Sequence, residues 1–79
     1  MPTLIRRERF EVRIYTLDHP PPHVHVFKAG AVVRILLSTG LATEIVGEIS
    51  DRDIRRAERL VADHASALKE EWESLHGED

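Results

Sequence analysis

The stretch His23-Val24-His25-Val26-Phe27-Lys28-Ala29-Gly30-Ala31-Val32-Val33-Arg34-Ile35-Leu36-Leu37 decides the fold. Successive side chains of a strand point to opposite faces, so Val24 and Val26 share one side while His23 and His25 share the other. Lys28-Ala29-Gly30 reads as a hairpin turn, and Ala31 to Leu37 as the returning strand. If Val33, Ile35 and Leu37 turn inward with the valines, then Val32, Arg34 and Leu36 lie with the two histidines on the open face.

The pattern extends in both directions. Upstream, residues 9–16 alternate, with Phe10, Val12 and Ile14 against Glu11, Arg13 and Tyr15. That is a half-buried strand, ended by three prolines. Downstream, Ser38-Thr39-Gly40 makes a turn into a weaker strand over 42–48 that contains Ile45 and Val46. Ser50 is a good N-cap, and Asp51 and Asp53 in the first turn suit the positive end of a helix. Ile54, Ala57, Val61, Ala65, Leu68, Trp72 and Leu75 then recur at helical spacing, with Gly77 as a stop. The reading is one helix over about 51–76, roughly 39 Å long at 1.5 Å per residue. It exceeds a small sheet, so its end either projects or packs on another subunit. The expected fold is α+β: an antiparallel sheet of three to four strands, over about 9–16, 23–28, 31–37 and 42–48, with one long C-terminal helix on one face.

A chain of 79 residues reads as one domain with a marginal core. It has no cysteine, which excludes disulfides and thiolate zinc sites and fits a reducing cytoplasm. No stretch is apolar enough for a signal peptide or a membrane span, so a cytoplasmic protein without a membrane partner is expected. The formal net charge of −3 conceals an asymmetry. Residues 1–59 hold ten basic against eight acidic residues, and residues 60–79 hold one against six. Nine of the eleven basic residues are arginine, suited to bidentate contacts with carboxylate or phosphate. Arg52, Arg55, Arg56 and Arg59 crowd the first half of the helix, whereas Glu70, Glu71 and Glu73 crowd the last, against the helix dipole. The arginines form a candidate surface for an acidic partner or a nucleic-acid backbone, RNA or DNA, or simply a solvated helix face.

Two histidines on one face of a strand can bind one divalent metal, such as zinc, nickel or manganese, through neutral imidazoles. Glu11, Asp18, Glu44 or another histidine would then supply a third ligand. Alternatively His23 and His25, beside Arg34 and Tyr15, suit acid–base work on a phosphate ester, since imidazole titrates near neutral pH. They also suit recognition or plain structure. Pro20, Pro21 and Pro22 favour polyproline II, whose rise of about 3.1 Å per residue puts His19 roughly 12 Å from His23 unless a cis bond or turn intervenes. His64 falls at the edge of the apolar stripe and reads as half-buried with one hydrogen-bond partner. His76 suits the carbonyl end of the helix. Trp72 lies on the apolar face and reads as a core or interface anchor.

The string Asp18-His19-Pro20-Pro21-Pro22-His23-Val24-His25-Val26 follows Ile14-Tyr15 and precedes a helix ending Leu68-x-x-x-Trp72-x-x-x-His76-Gly77. Together with the opening Met1-Pro2-Thr3-Leu4, this resembles the bacterial domain-of-unknown-function family 4160 over nearly the whole chain. The resemblance carries Asp18, His19, His23, His25, Trp72 and His76 as motif positions. One departure is visible: Arg9 stands where the family pattern leads one to expect glycine before the first strand. The resemblance implies a small single-domain protein, often encoded beside another small protein in an arrangement like a toxin–antitoxin pair. From this comes the expectation of an interaction module with a cognate partner or a second copy. The alternative is a histidine- or metal-dependent ribonuclease or phosphoesterase.

Overall fold

The computed structural model describes residues 3–15 and 19–76. The end of the first expected strand at Thr16, the motif residue Asp18 and the proposed stop at Gly77 lie outside them. The elements are β1 (Thr3–Arg7), β2 (Phe10–Arg13), β3 (His23–Lys28), β4 (Ala31–Leu36), β5 (Ala42–Val46), α1 (Asp51–Asp63) and α2 (Ala65–His76). The fold is α+β, and each strand pairs antiparallel with its neighbour in sequence to give a sheet in the order β1-β2-β3-β4-β5.

Two expectations about its elements are corrected. The sheet has five strands, not three or four, because β1 pairs with β2 through a two-residue turn. Arg7 and Phe10 are opposed, and the residues between them, Glu8 and Arg9, have φ of 50° and 72°. Tight hairpins of this left-handed type normally announce themselves with Asn-Gly, and Glu-Arg carries no such signal. The second correction is that the single long helix is two. At His64 (φ −119°, ψ 20°) the ring Nδ1–H donates to the Leu60 carbonyl at 3.0 Å, the acceptor its own amide would use in an unbroken helix. The His64 amide instead reaches the Val61 carbonyl at 3.1 Å.

The apolar alternation packs as its spacing predicts. Phe10, Val12, Ile14, Val24, Val26, Val33, Ile35 and Leu37 meet Ala57, Leu60, Val61, Leu68 and Trp72 in one core. Lys28 reaches from the end of β3 to Asp53 in the first turn of α1, with Nζ 3.0 Å from Oδ2. The Glu58 carboxylate accepts the Ala42 amide at 2.8 Å, beside the register shift between β4 and β5. Strand β5 ends at Val46, short of the expected 48, because Gly47 turns away at φ 91°. A side chain at Gly47 would come within 3.0 Å of the Ala31 Cα.

Opposed residues share a face, so register fixes the rows of the uncovered side. One row runs Glu11, Phe27, Val32, Val46, and the next runs Arg13, His25, Arg34, Glu44. His23 stands opposite Leu36. At the β5 edge, Leu41, Ile45 and Val46 are 57%, 44% and 61% exposed.

Candidate functional site

The two strand histidines lie side by side, with ring centroids 5.1 Å apart at 77°. Their surroundings differ. His23, expected on an open face, is only 4% exposed because Trp72 of α2 covers it, the ring centroids being 5.4 Å apart. Its Nδ1–H donates to the Pro21 carbonyl at 2.8 Å, which fixes the ring and makes Nε2 the acceptor nitrogen of the neutral tautomer. The proline segment thus orients His23 directly. It is not a straight polyproline II run, since the Pro20–Pro21 bond is cis. His19, Pro20, Pro21 and Pro22 are exposed.

His25 is half-buried, with Arg13 on one side in register and Arg34 on the other. The Tyr15 ring stands 5.2 Å away, so His25, Arg34 and Tyr15 gather as the face assignment implies. Arg13 donates to Glu11 at 2.6 Å and lies over the Phe27 ring at 4.5 Å. The hydrogen bond from Arg13 lowers the Glu11 carboxyl below its ordinary range, with Arg6 adding a second pair at 3.1 Å. The bond to Glu11, followed by one with Tyr15, raises Arg13 in turn. Glu11 therefore serves arginines, and Glu44 lies opposite Arg34. Among the described residues no three histidine or carboxylate groups come together as a metal site.

The ring contacts continue into α2. Trp72 stacks on His76 at 3.8 Å and 22°. The two His76 nitrogens each face a carbonyl at 3.0 Å, Nδ1 that of Trp72 and Nε2 that of Tyr15. A carbonyl oxygen only accepts, so the ring donates to whichever of the two faces its N–H. Either way the ring sits at the carbonyl end of α2 and links it to the Tyr15 backbone. Tyr15, His25, His23, Trp72 and His76 therefore form a run of ring contacts, closed into a circuit by the His76 contact with the Tyr15 carbonyl, that ties the segment after β2, the start of β3 and the end of α2 together. Periodicity placed Trp72 and His76 on the helix but gave no sign that they meet the histidine pair. The i, i+4 spacing of Trp72 and His76 was the available signal.

Arg52, Arg55, Arg56 and Arg59 are all exposed on α1, away from this circuit, and frame a concavity of about 480 Å³ with Glu58. A second hollow of about 290 Å³ holds Arg56 and Arg59 together with Arg7, Glu8 and Asp63 over Phe10 and Leu60. Arg7 enters this group through β1, the strand that composition hid.

The family model described as a domain of unknown function, DUF4160, matches residues 10–73. The match runs from the first residue of β2 to the turn of α2 that carries Trp72 and stops short of His76. No curated protein and no solved structure matches the chain. No helix among the described residues is long and apolar enough to cross a membrane.

Proposed function

The chain belongs to the DUF4160 family, which prescribes no activity, and we propose that it works as a protein-interaction module, one half of a toxin–antitoxin-like pair. The observation that carries this reading is the edge of the sheet. Strand β5 leaves one side of its backbone unpaired among the described residues and presents Leu41, Ile45 and Val46 to solvent. An edge without lysine or proline is a template for another strand, and natural sheets ordinarily blunt such edges. A partner strand added beside β5 would pair its backbone and cover the apolar side chains. The adjoining open face, with Val32, Leu36 and Phe27 half-buried between charged rows, would extend the contact.

The histidine-enzyme reading, with or without a metal, draws less support. His23 is covered and His76 faces a carbonyl with each nitrogen, so these imidazoles act as parts of a packed circuit. Arg34 and Tyr15 beside His25 are what favours it.

Co-expression with the product of the neighbouring gene tests the proposal. The two proteins are expected to co-purify, and Ile45→Lys with Val46→Lys is expected to lower the affinity at least about tenfold, as a desolvated charge on an edge strand should. A stable complex indifferent to both lysines would overturn the β5 assignment. RNA cleavage that is lost in His25→Ala yet retained in the β5 variant would move the function to the histidines.

A further inference from the structure

The outer face of the helices carries a pattern that folding of one chain leaves unused. Ala57, Val61, Leu68 and Trp72 form a buried stripe that continues across the break at His64. The opposite stripe is exposed throughout: Arg52, Arg55, Arg59, Ala62, Ser66, Glu70 and Glu73, in steps of three or four residues. It is basic at one end, small in the middle and acidic at the other end. Among the described residues the ion pairs are Arg6–Glu11, Arg13–Glu11 and Lys28–Asp53, so no charge of this stripe is paired with another described residue.

We propose that this outer face is a self-complementary interface that takes a second copy of the chain, antiparallel, about a two-fold axis near His64. A two-fold contact requires that residue i meet j and j meet i. Centred at His64, that symmetry sets Arg55 opposite Glu73 of the partner subunit and Ala62 opposite Ser66 of the partner subunit, with Arg59 one residue out of register from Glu70 of the partner subunit on the same stripe, each pair occurring twice. The small central residues let the helices approach where the axis crosses. Charge complementarity selects a second copy over other occupants for a further reason. Within one chain Arg52 and Arg55 lie toward the positive end of α1 and Glu73 toward the negative end of α2, both unfavourable placements. An antiparallel partner brings carboxylates to the first half and guanidinium groups to the last, which reverses both. Asp63 and Lys69 border the stripe with charges opposite to their nearest ends, so the pairing rests on Arg52, Arg55 and Arg59 against Glu70 and Glu73. A nucleic acid would be met by Asp51, Glu58 and Asp63 among the same arginines.

Light scattering on the eluting full chain tests this. The wild type is expected to run as a dimer at about 50 mM salt, with its dissociation constant rising at least about tenfold by about 500 mM as exposed charges are screened. Arg55→Glu with Arg59→Glu, and separately Glu70→Arg with Glu73→Arg, should each run as monomers. An equimolar mixture of the two variants should recover the dimer mass, which also shows that both are folded. A wild type that stays monomeric at about 100 μM in low salt overturns the proposal. So does a dimer that survives both reversals, or one that is lost with Ile45→Lys instead. Binding of an RNA oligonucleotide by a monomer, abolished by Arg55→Glu with Arg59→Glu, assigns the arginines to nucleic acid and overturns it too. Partner capture through β5 is read separately and stands or falls by itself.

Discussion

Arg9 occupies a backbone conformation that its side chain resists. Its φ of 72° lies in the left-handed region, where a Cβ crowds the following carbonyl and glycine does not. This is the position at which the family resemblance leads one to expect glycine. Both neighbours in the turn depend on it, since Arg7 and Phe10 must oppose each other for β1 to pair. Arg9→Gly is therefore expected to stabilise the fold by about 0.5–1 kcal/mol, the relief of strain outweighing the added freedom of the unfolded chain. For a domain of this size that raises the melting temperature by a few degrees, roughly 2–8 °C. An unchanged or lower melting point would mean that the arginine side chain contributes more than the turn costs.

At the scale of elements, the sheet was legible wherever one face is buried. The alternation in Phe10 to Tyr15 and Val24 to Leu37 sorts side chains correctly because a one-residue slip would expose the whole core set, whereas His23, expected on the open face, is buried. The pattern failed at β1, whose turn lacks glycine, and at His64, where a side chain takes a backbone acceptor that periodicity cannot reveal. The join between layers was equally hidden, since Lys28 and Asp53 are 25 residues apart. Their pairing makes a pH prediction. The hydrogen bond from Lys28 lowers Asp53 below its ordinary value of 3.8, and Arg13 lowers Glu11 in the same way. A carboxyl depressed by folding stabilises the native state above its unfolded value, and that contribution disappears as pH falls through the folded value. Urea midpoints should therefore hold level from neutral pH down to about 5 and decline below about 4. Asp53→Asn should lower the neutral-pH midpoint and make the acid decline shallower, with Glu11 left to supply the remainder. Both partners are partly solvated, so the effect is modest. An acid decline as steep in Asp53→Asn as in the wild type would show that the pair does not link the layers energetically.

For the whole molecule, the candidate site is where the ends of three elements are tied together. The sequence named its members, because histidines, a tryptophan and prolines are costly choices in so short a chain. It could not join them, because the circuit depends on how α2 lies after the break at His64. Helix α1 is fixed over β4 and pinned by Lys28 and Glu58, whereas the last turns of α2 reach the sheet through Leu68, Trp72 and His76. Of these, His76 is the one whose ring reaches carbonyls of both α2 and the segment after β2, so its loss should loosen one helix without loosening the other. His76→Ala removes a half-buried ring and its contacts with both carbonyls, which should cost about 1–3 kcal/mol. Hydrogen exchange is expected to quicken along 65–76 by tenfold or more, the equivalent of about 1.4 kcal/mol, while α1 and β4 amides keep their protection. The chain has one tryptophan, so its fluorescence reports the same event without ambiguity. Removing the stacked ring should shift Trp72 emission to longer wavelength, as water reaches the indole and His23 beneath it. Uniform loss of protection in both helices would instead mean that α1 and α2 open together, and that the histidine circuit supports the whole fold instead of fastening its last helix.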